Sequence, residues 1–194
     1  MNKAKANQRL IVAISGASGA IYGIRALRML RAADIESHLV VSRAAALSLD
    51  AETDMSLADV QALADVVYKP GDVGAAIASG SFRTLGMLVA PCSIKSLSEI
   101  ATGVTSSLLS RAADVCLKER RRLVLMVRES PLHLGHIRSM AAVTEMGAVV
   151  APPVPAFYTR PQSLDDMVGQ SVARALDLFG IEAPVTRWGE DIAP

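Results

Sequence analysis

Two short turns carry the residue types that an anionic ligand would need. Gly16-Ala17-Ser18-Gly19 follows a brief apolar run and opens a helical pattern. Glycines there permit a tight turn and a close backbone approach, and a helix N-terminus offers free N–H groups to negative charge. The pattern is neither G-x-G-x-x-G nor a P-loop, whose Lys-Ser/Thr ending is absent. Taken alone it also fits a plain glycine turn that packs a helix on a strand. Pro91-Cys92-Ser93-Ile94-Lys95-Ser96 is a second hydroxyl-rich turn at the start of a helix, in which Ser93 serves equally well as an N-cap. Cys92 reads as a small buried residue rather than a nucleophile, because no histidine stands beside it.

Arg128-Glu129 closes another apolar run. Glu129 is there either as half of a structural ion pair or as a general acid/base whose pKa is raised by partial burial; its position alone leaves both open. His133 and His136, three apart, resemble half a metal site without further ligands nearby, which favours surface or capping roles. Lys118, in the basic run Lys118 to Arg122, reads as part of a solvated helix end. Arg174 lies ~120° from the centre of its helix's apolar face, as a solvated flank residue would.

These residues need a scaffold. Leu10 to Ile14 and Leu123 to Val127 are uninterrupted apolar runs, as in strands buried on both faces, and His38 to Val41, Leu85 to Ala90 and Ala148 to Val150 read as further strands. Helical patterns start after Gly19 and span Ala44 to Leu63 (capped by Asp54 or Ser56), Ser93 to about Ala101 and Ser106 to Lys118. Ser130-Pro131 offers an N-cap and first-turn pair for the next helix. Leu164 to Phe179 is the clearest amphipathic helix, with Leu164, Val168, Val172 and Leu176 on its apolar face and Gly180 as its stop. Pro70 to Gly86 carries no clear element, and Pro152, Pro153 and Pro155 hold an extended loop. Strands alternating with helices predict an α/β fold: a doubly wound, mostly parallel sheet with helices on both faces. In such sheets ligands sit outside the carboxyl ends of the strands, where both turns, Ser42, Arg128 and Glu129 fall.

The 194 residues form one expected domain, with 1–9 and 181–194 as tails. A net charge of +1 and an aromatic share of 4% argue against a nucleic-acid platform. The absence of a long apolar run argues against a membrane span, and the two widely spaced cysteines against a disulfide framework, so a reduced, cytoplasmic protein is expected. The high apolar content, 51%, suggests oligomer interfaces.

Gly16 to Gly23, Pro91 to Leu97, Arg111 to Asp114, Leu117 to Arg121, Val127 to Leu132, Phe157 to Gln162 and Arg187 to Glu190, taken together and in order, resemble the UbiX-type flavin prenyltransferases. The resemblance implies a Rossmann-like flavoprotein assembled as a dodecamer of trimers. It implies metal-independent transfer of a dimethylallyl group from dimethylallyl monophosphate to N5 and C6 of reduced FMN, giving prenylated FMN for a UbiD-type decarboxylase. Carried over by position, FMN would be held by Gly16, Ala17, Ser18, Ser42, Ser93, Ile94, Lys95, Ser96 and Arg128. The prenyl phosphate would meet Lys118, Glu129, Tyr158, Arg160 and Arg174, with Trp188 walling the prenyl pocket; Ser18, Glu129 and Lys118 would be catalytic. Ile94 replaces a methionine frequent in the family. The alternatives are an FMN-dependent cysteine-type decarboxylase and a flavin-binding protein without catalysis. The former uses a histidine after the second strand, and Ser42 to Asp65 contains none.

Overall fold

A computed structural model describes residues 8–192. Its sheet is built from β1 (Arg9–Ile14), β2 (Glu36–Val41), β3 (Val66–Tyr68), β4 (Gly86–Cys92), β5 (Arg122–Val127) and β6 (Val149–Val150). Neighbouring strands are parallel throughout, in the order β3-β2-β1-β4-β5-β6. The helices are α1 (Ala20–Ala32), α2 (Arg43–Glu52), α3 (Leu57–Gln61), α4 (Ile94–Thr102), α5 (Leu108–Lys118), α6 (Leu134–Glu145) and α7 (Leu164–Asp177).

The continuous apolar runs have the expected cause. Along β1, Leu10, Val12 and Ile14 face one layer, where Ile24 and Leu27 of α1 and Val172 and Leu176 of α7 pack. Ile11 and Ala13 face the other, against Leu97 of α4 and Leu108 and Ala112 of α5. Since side chains alternate along a strand, a strand covered on both sides must be apolar at every position.

The strand order decides where function can sit. The chain runs outward from β1 to β2 and β3, then crosses back to lay β4 on the other side of β1. The connections leaving β1 and β4 therefore diverge over opposite faces and open a crevice between their carboxyl ends. The turns Ser15–Gly19 and Pro91–Ser96 flank that crevice.

Several local expectations change. The expected helix over Ala44–Leu63 is two helices: Thr53 adopts an extended conformation, and a Ser56–Asp59 capping box starts α3, so Ser56 rather than Asp54 is the cap. β3 is a strand where none was expected. β4 continues through Pro91 to Cys92, because a register shift against β5 between Val89 and Cys92 accommodates a residue with no N–H. Ser130-Pro131 does not open α6; His133 does, its Nδ1 accepting from Gly135 N at 3.0 Å. Leu164, in the first turn of α7, is 80% exposed, and Gln170 and Ala173 occupy the buried face instead. The expected N-terminal tail is shorter, since Arg9 begins β1 and pairs with Glu36 at 3.1 Å; residues 1–7 of that tail, and 193–194 at the other end, lie outside the described residues. Among the described residues no helix is long and apolar enough to cross a membrane.

Candidate functional site at the carboxyl ends of the strands

Ser15, the residue after β1, is 1% exposed and laces the crevice shut at its floor. Its N–H donates to Pro91 O at 3.2 Å, its hydroxyl donates to the same carbonyl at 2.9 Å, and its Oγ accepts from Ser93 N at 2.7 Å. Neighbouring strand ends are tied in the same way: Ser42 N donates to Ile14 O at 2.9 Å and Arg128 N to Cys92 O at 3.1 Å. The rim is thus a connected backbone shelf rather than a set of independent loops.

Helix N-termini converge on this shelf. Ser42 caps α2, its Oγ accepting from Ala45 N at 3.1 Å, and Ser93 caps α4, its Oγ accepting from Ser96 N at 3.3 Å and donating to Ser96 Oγ at 3.2 Å. Gly19 caps α1 with φ 107°, a left-handed conformation that disfavours a side chain. Gly16 is needed for a different reason: a Cβ there would lie 2.4 Å from Ala44 Cβ, so a methyl group would push α2 off the turn. The partial positive ends of α2 and α4 favour an anion, that of α1 being already taken by a side-chain carboxylate, and the backbone of Gly16, Ala17 and Ser18 is half-buried or exposed beside them. Those features fit the phosphate and polar ring edge of a flavin mononucleotide.

Of the expected flavin residues, the structure brings Gly16, Ala17, Ser18, Ser42, Ser93, Ile94, Ser96 and Arg128 to this rim. Lys95 joins it through its backbone; its side chain is exposed and reaches Glu99 at 3.7 Å. The Arg128 side chain is exposed, and its charge partly offsets the upward shift that burial imposes on the Tyr22 phenol. Glu129 is exposed at the same edge, with Oε1 accepting from Ser130 N at 3.0 Å.

The prenyl-phosphate set is only partly assembled within one chain. Tyr158 follows the proline loop in a 3-10 turn (Phe157–Thr159) and meets Trp188 edge-on, ring centroids 5.7 Å apart. Arg174 lines a cavity of ≈ 210 Å³ with Met126, Ala151, Pro152, Val154 and Ala156. It is ion-paired with Asp177, whose carboxyl is held below its usual range chiefly by Arg187. Arg160 lies apart from Arg174, in a hollow of ≈ 630 Å³ shared with Arg25, Asp165 and Asp191. Lys118 is not at this rim. It ends α5, four positions before β5 begins at Arg122, and therefore sits at the amino edge of its own sheet, paired with Glu119 beside Gly80.

One residue was missed in the sequence. Glu52, in the last turn of α2, accepts from Gly19 N at 2.7 Å and Ala20 N at 3.2 Å and so places a carboxylate at the start of α1. Its place at the end of an apparently continuous helix gave no signal, because the break after Glu52 was not visible.

Several groups stand outside the site. His38 is buried in β2, its Nδ1 2.9 Å from Tyr68 Oη and its Nε2 2.8 Å from Glu36, with burial holding its pKa down. The rings of His133 and His136 lie close but tilted, centroids 3.6 Å apart at 34°, and among the described residues no group of three or more His, Cys, Asp or Glu is arranged to hold a metal. Cys92 is fully buried, its thiol pushed up to about 12 by desolvation.

Comparison with known proteins agrees with this geometry. Residues 1–172 match the Flavoprotein family. Flavin prenyltransferase UbiX of Escherichia coli (strain K12) is 62% identical over 185 residues, covering 93% of this chain and 98% of that protein. The crystal structure of AnUbiX in complex with FMN and dimethylallyl pyrophosphate superposes with TM-score 0.93 at 49% identity, over 94% of this chain and 98% of that one. A dodecameric FMN-dependent UbiX-like decarboxylase from Escherichia coli O157:H7 superposes with TM-score 0.91 at 49% identity, over 93% and 99%. With 62% identity over 93% of this chain and a superposition at TM-score 0.93, the protein belongs to the UbiX-type flavin prenyltransferases.

Proposed function

We propose that this chain, acting as one flavin-binding domain over 1–194 with short flanking segments, transfers a dimethylallyl group from dimethylallyl monophosphate to reduced FMN in the cytoplasm. The product would be prenylated FMN for a UbiD-type decarboxylase. The observation that carries the reading is the Ser15 lacing, which joins the β1 and β4 turns into one anion-seeking shelf at the crevice. FMN would be held by Gly16, Ala17, Ser18, Ser42, Ser93, Ile94, the Lys95 backbone, Ser96 and Arg128, and when reduced it supplies the nucleophilic N5 and C6 atoms.

The protein's part is binding, charge stabilisation and exclusion of water. Departure of the donor's phosphate builds negative charge on oxygen, which Arg174 and Lys118 would stabilise while the Tyr158 hydroxyl would turn from its long 3.4 Å contact with the Thr186 carbonyl to donate one hydrogen bond. Trp188 and Tyr158 present π faces to the cationic allyl group, and their apolar bulk keeps water from capturing it. Glu129 and Ser18, exposed on the rim, would hold or deliver the proton that the phosphate and the flavin edge exchange. Arg160, in its separate hollow, would act as a peripheral anchor.

Lys118 can serve this chemistry only in a neighbouring subunit. We therefore place the complete site between subunits of a homo-oligomer, a dodecamer of trimers, in keeping with the dodecameric relative. The cysteine-decarboxylase alternative is disfavoured because β2 delivers Ser42 to the rim while its histidine is buried farther back and fully bonded.

The test is anaerobic incubation of the purified protein with reduced FMN and dimethylallyl monophosphate, followed by mass spectrometry of the flavin. A flavin heavier by one prenyl unit is expected. Unchanged flavin from folded, FMN-loaded protein refutes the assignment.

A further inference from the structure

Gln170 faces the interior from the middle of α7, 9% exposed. Both ends of its side-chain amide go to one residue of the C-terminal segment. Nε2 donates to Thr186 O at 2.8 Å, and Oε1 accepts from Thr186 N at 3.0 Å. The amide thus takes the place of a strand neighbour for a segment that has none. The same Thr186 carbonyl is what the Tyr158 hydroxyl points to, at 3.4 Å. Two positions on, Trp188 rests edge-on against Tyr158. Between them Arg187 forks onto Asp177 at 2.7 and 3.0 Å, on the same helix. Gln170 also lines the ≈ 210 Å³ cavity beside Arg174, one helical turn away.

We propose that Gln170 is a positioning residue for prenyl transfer: by clamping Thr186 to α7 it sets where Tyr158 and Trp188 stand around the prenyl donor. The proposal rests on the transferase reading above. An apolar side chain could fill the same volume but would leave the Thr186 N–H and C=O unpaired on a half-buried strap. A carboxylate could accept from Thr186 N but would set its other oxygen against the Thr186 carbonyl. The amide alone satisfies both groups at neutral pH. Tyr158 and Trp188 reach the donor from a stretch of loop and a C-terminal segment, so their placement depends on this tie more than on secondary structure.

Trp188 is the only tryptophan in the chain, so intrinsic emission reports on the strap without any turnover. In FMN-loaded Gln170→Met protein, Trp188 emission should shift to the red and acrylamide quenching should rise. KM for dimethylallyl monophosphate should rise about tenfold, the effect of removing one strong hydrogen bond to the donor, with kcat and FMN affinity within about twofold of the parent. Gln170→Glu should show the same defects at pH 8. Its KM, taken as a ratio to the parent's at each pH, should then recover as the pH falls and a protonated carboxyl regains a donor. Unaltered emission, an unaltered KM, or a loss of FMN affinity equal to the loss in KM overturns the proposal. If Gln170→Met does not fold, the Gln170→Glu ratio decides, and a pH-flat ratio overturns it. Failure of the parent protein to make prenylated flavin would overturn the transferase reading instead, and the emission shift would still separate a strap held by Gln170 from one that is not.

Discussion

Ser15→Ala removes a single oxygen from the floor of the crevice, and the hydrogen bonds around that oxygen set the size of the effect. Two bonds of 2.9 and 2.7 Å disappear. The Pro91 carbonyl keeps a donor, the Ser15 N–H at 3.2 Å. Ser93 N, in a residue 8% exposed, loses its acceptor. Each neutral hydrogen bond contributes about 1 kcal/mol net, and a buried donor left unpaired adds about 1 kcal/mol more, so the variant should lose about 2–3 kcal/mol. At about 2–4 °C per kcal/mol for a domain of this size, Tm should fall by about 4–12 °C. The same loss frees the β4 turn from the β1 turn, so FMN should bind about tenfold more weakly. Urea unfolding gives the first quantity and fluorescence titration with FMN the second. A variant within about 0.5 kcal/mol of the parent, the range of ordinary surface changes, with an unchanged FMN Kd would refute the claim that the two turns form one laced shelf.

Gly16→Ala should weaken FMN binding by displacing the first turn of α2, and Ala44→Gly in the same protein should restore much of it, because the offending approach is Cβ to Cβ at 2.4 Å; a double variant no better than Gly16→Ala places the defect elsewhere. Glu129→Gln should retain FMN and lose turnover, and Lys118→Ala should weaken donor binding by about 1–3 kcal/mol. Co-expressed in equal amounts, these two variants should regain about one quarter of parental activity, because sites between subunits draw the two groups from different chains; mixtures no more active than their components would put Lys118 outside the shared site. Asp177 has its pKa lowered by Arg187, so the ion pair contributes fully above the unfolded carboxyl's value of 3.8 and is lost as the pH falls from there through the folded value. Trp188 emission should accordingly stay level from pH 7 down to about that point and change only below it, and a transition near pH 6 would show that another group holds the strap.

What could be read in the sequence came from burial. β1 and β5 were visible because both their faces are covered, which leaves an unbroken apolar run. β3 was not: it has three residues, sits at the sheet edge, and has Val67 40% exposed, so neither length nor hydrophobicity marked it. The break between α2 and α3 was hidden because Thr53 and Asp54 are tolerated in a helix and only the competing bonds to Thr53 and Ser56 unwind it. The rim residues were recoverable as turn chemistry, yet their convergence depends on strand order, which hydrophobic periodicity does not encode. Lys118 shows the same gap from the other side. Its helix ends at Lys118 as the pattern predicts, but only the parallel sheet reveals that such a helix ends at the far edge. Gln170 is a polar residue on a buried helix face, and no sequence pattern announces the partner of such a residue.

The state of Cys92 has a bearing on how the protein survives its own chemistry. An allylic electrophile released beside a thiolate would alkylate it, and a soft sulfur nucleophile outcompetes most other side chains. Cys92 adjoins the Ser93 turn, yet it is sealed behind the strand end and its proton is held until about pH 12. The catalyst is thereby spared as a target, and the reactive carbon is left with the flavin as its main soft partner. Cys116, the other free thiol, is buried as well, so iodoacetamide should leave the native protein unlabelled at neutral pH and modify it only after unfolding.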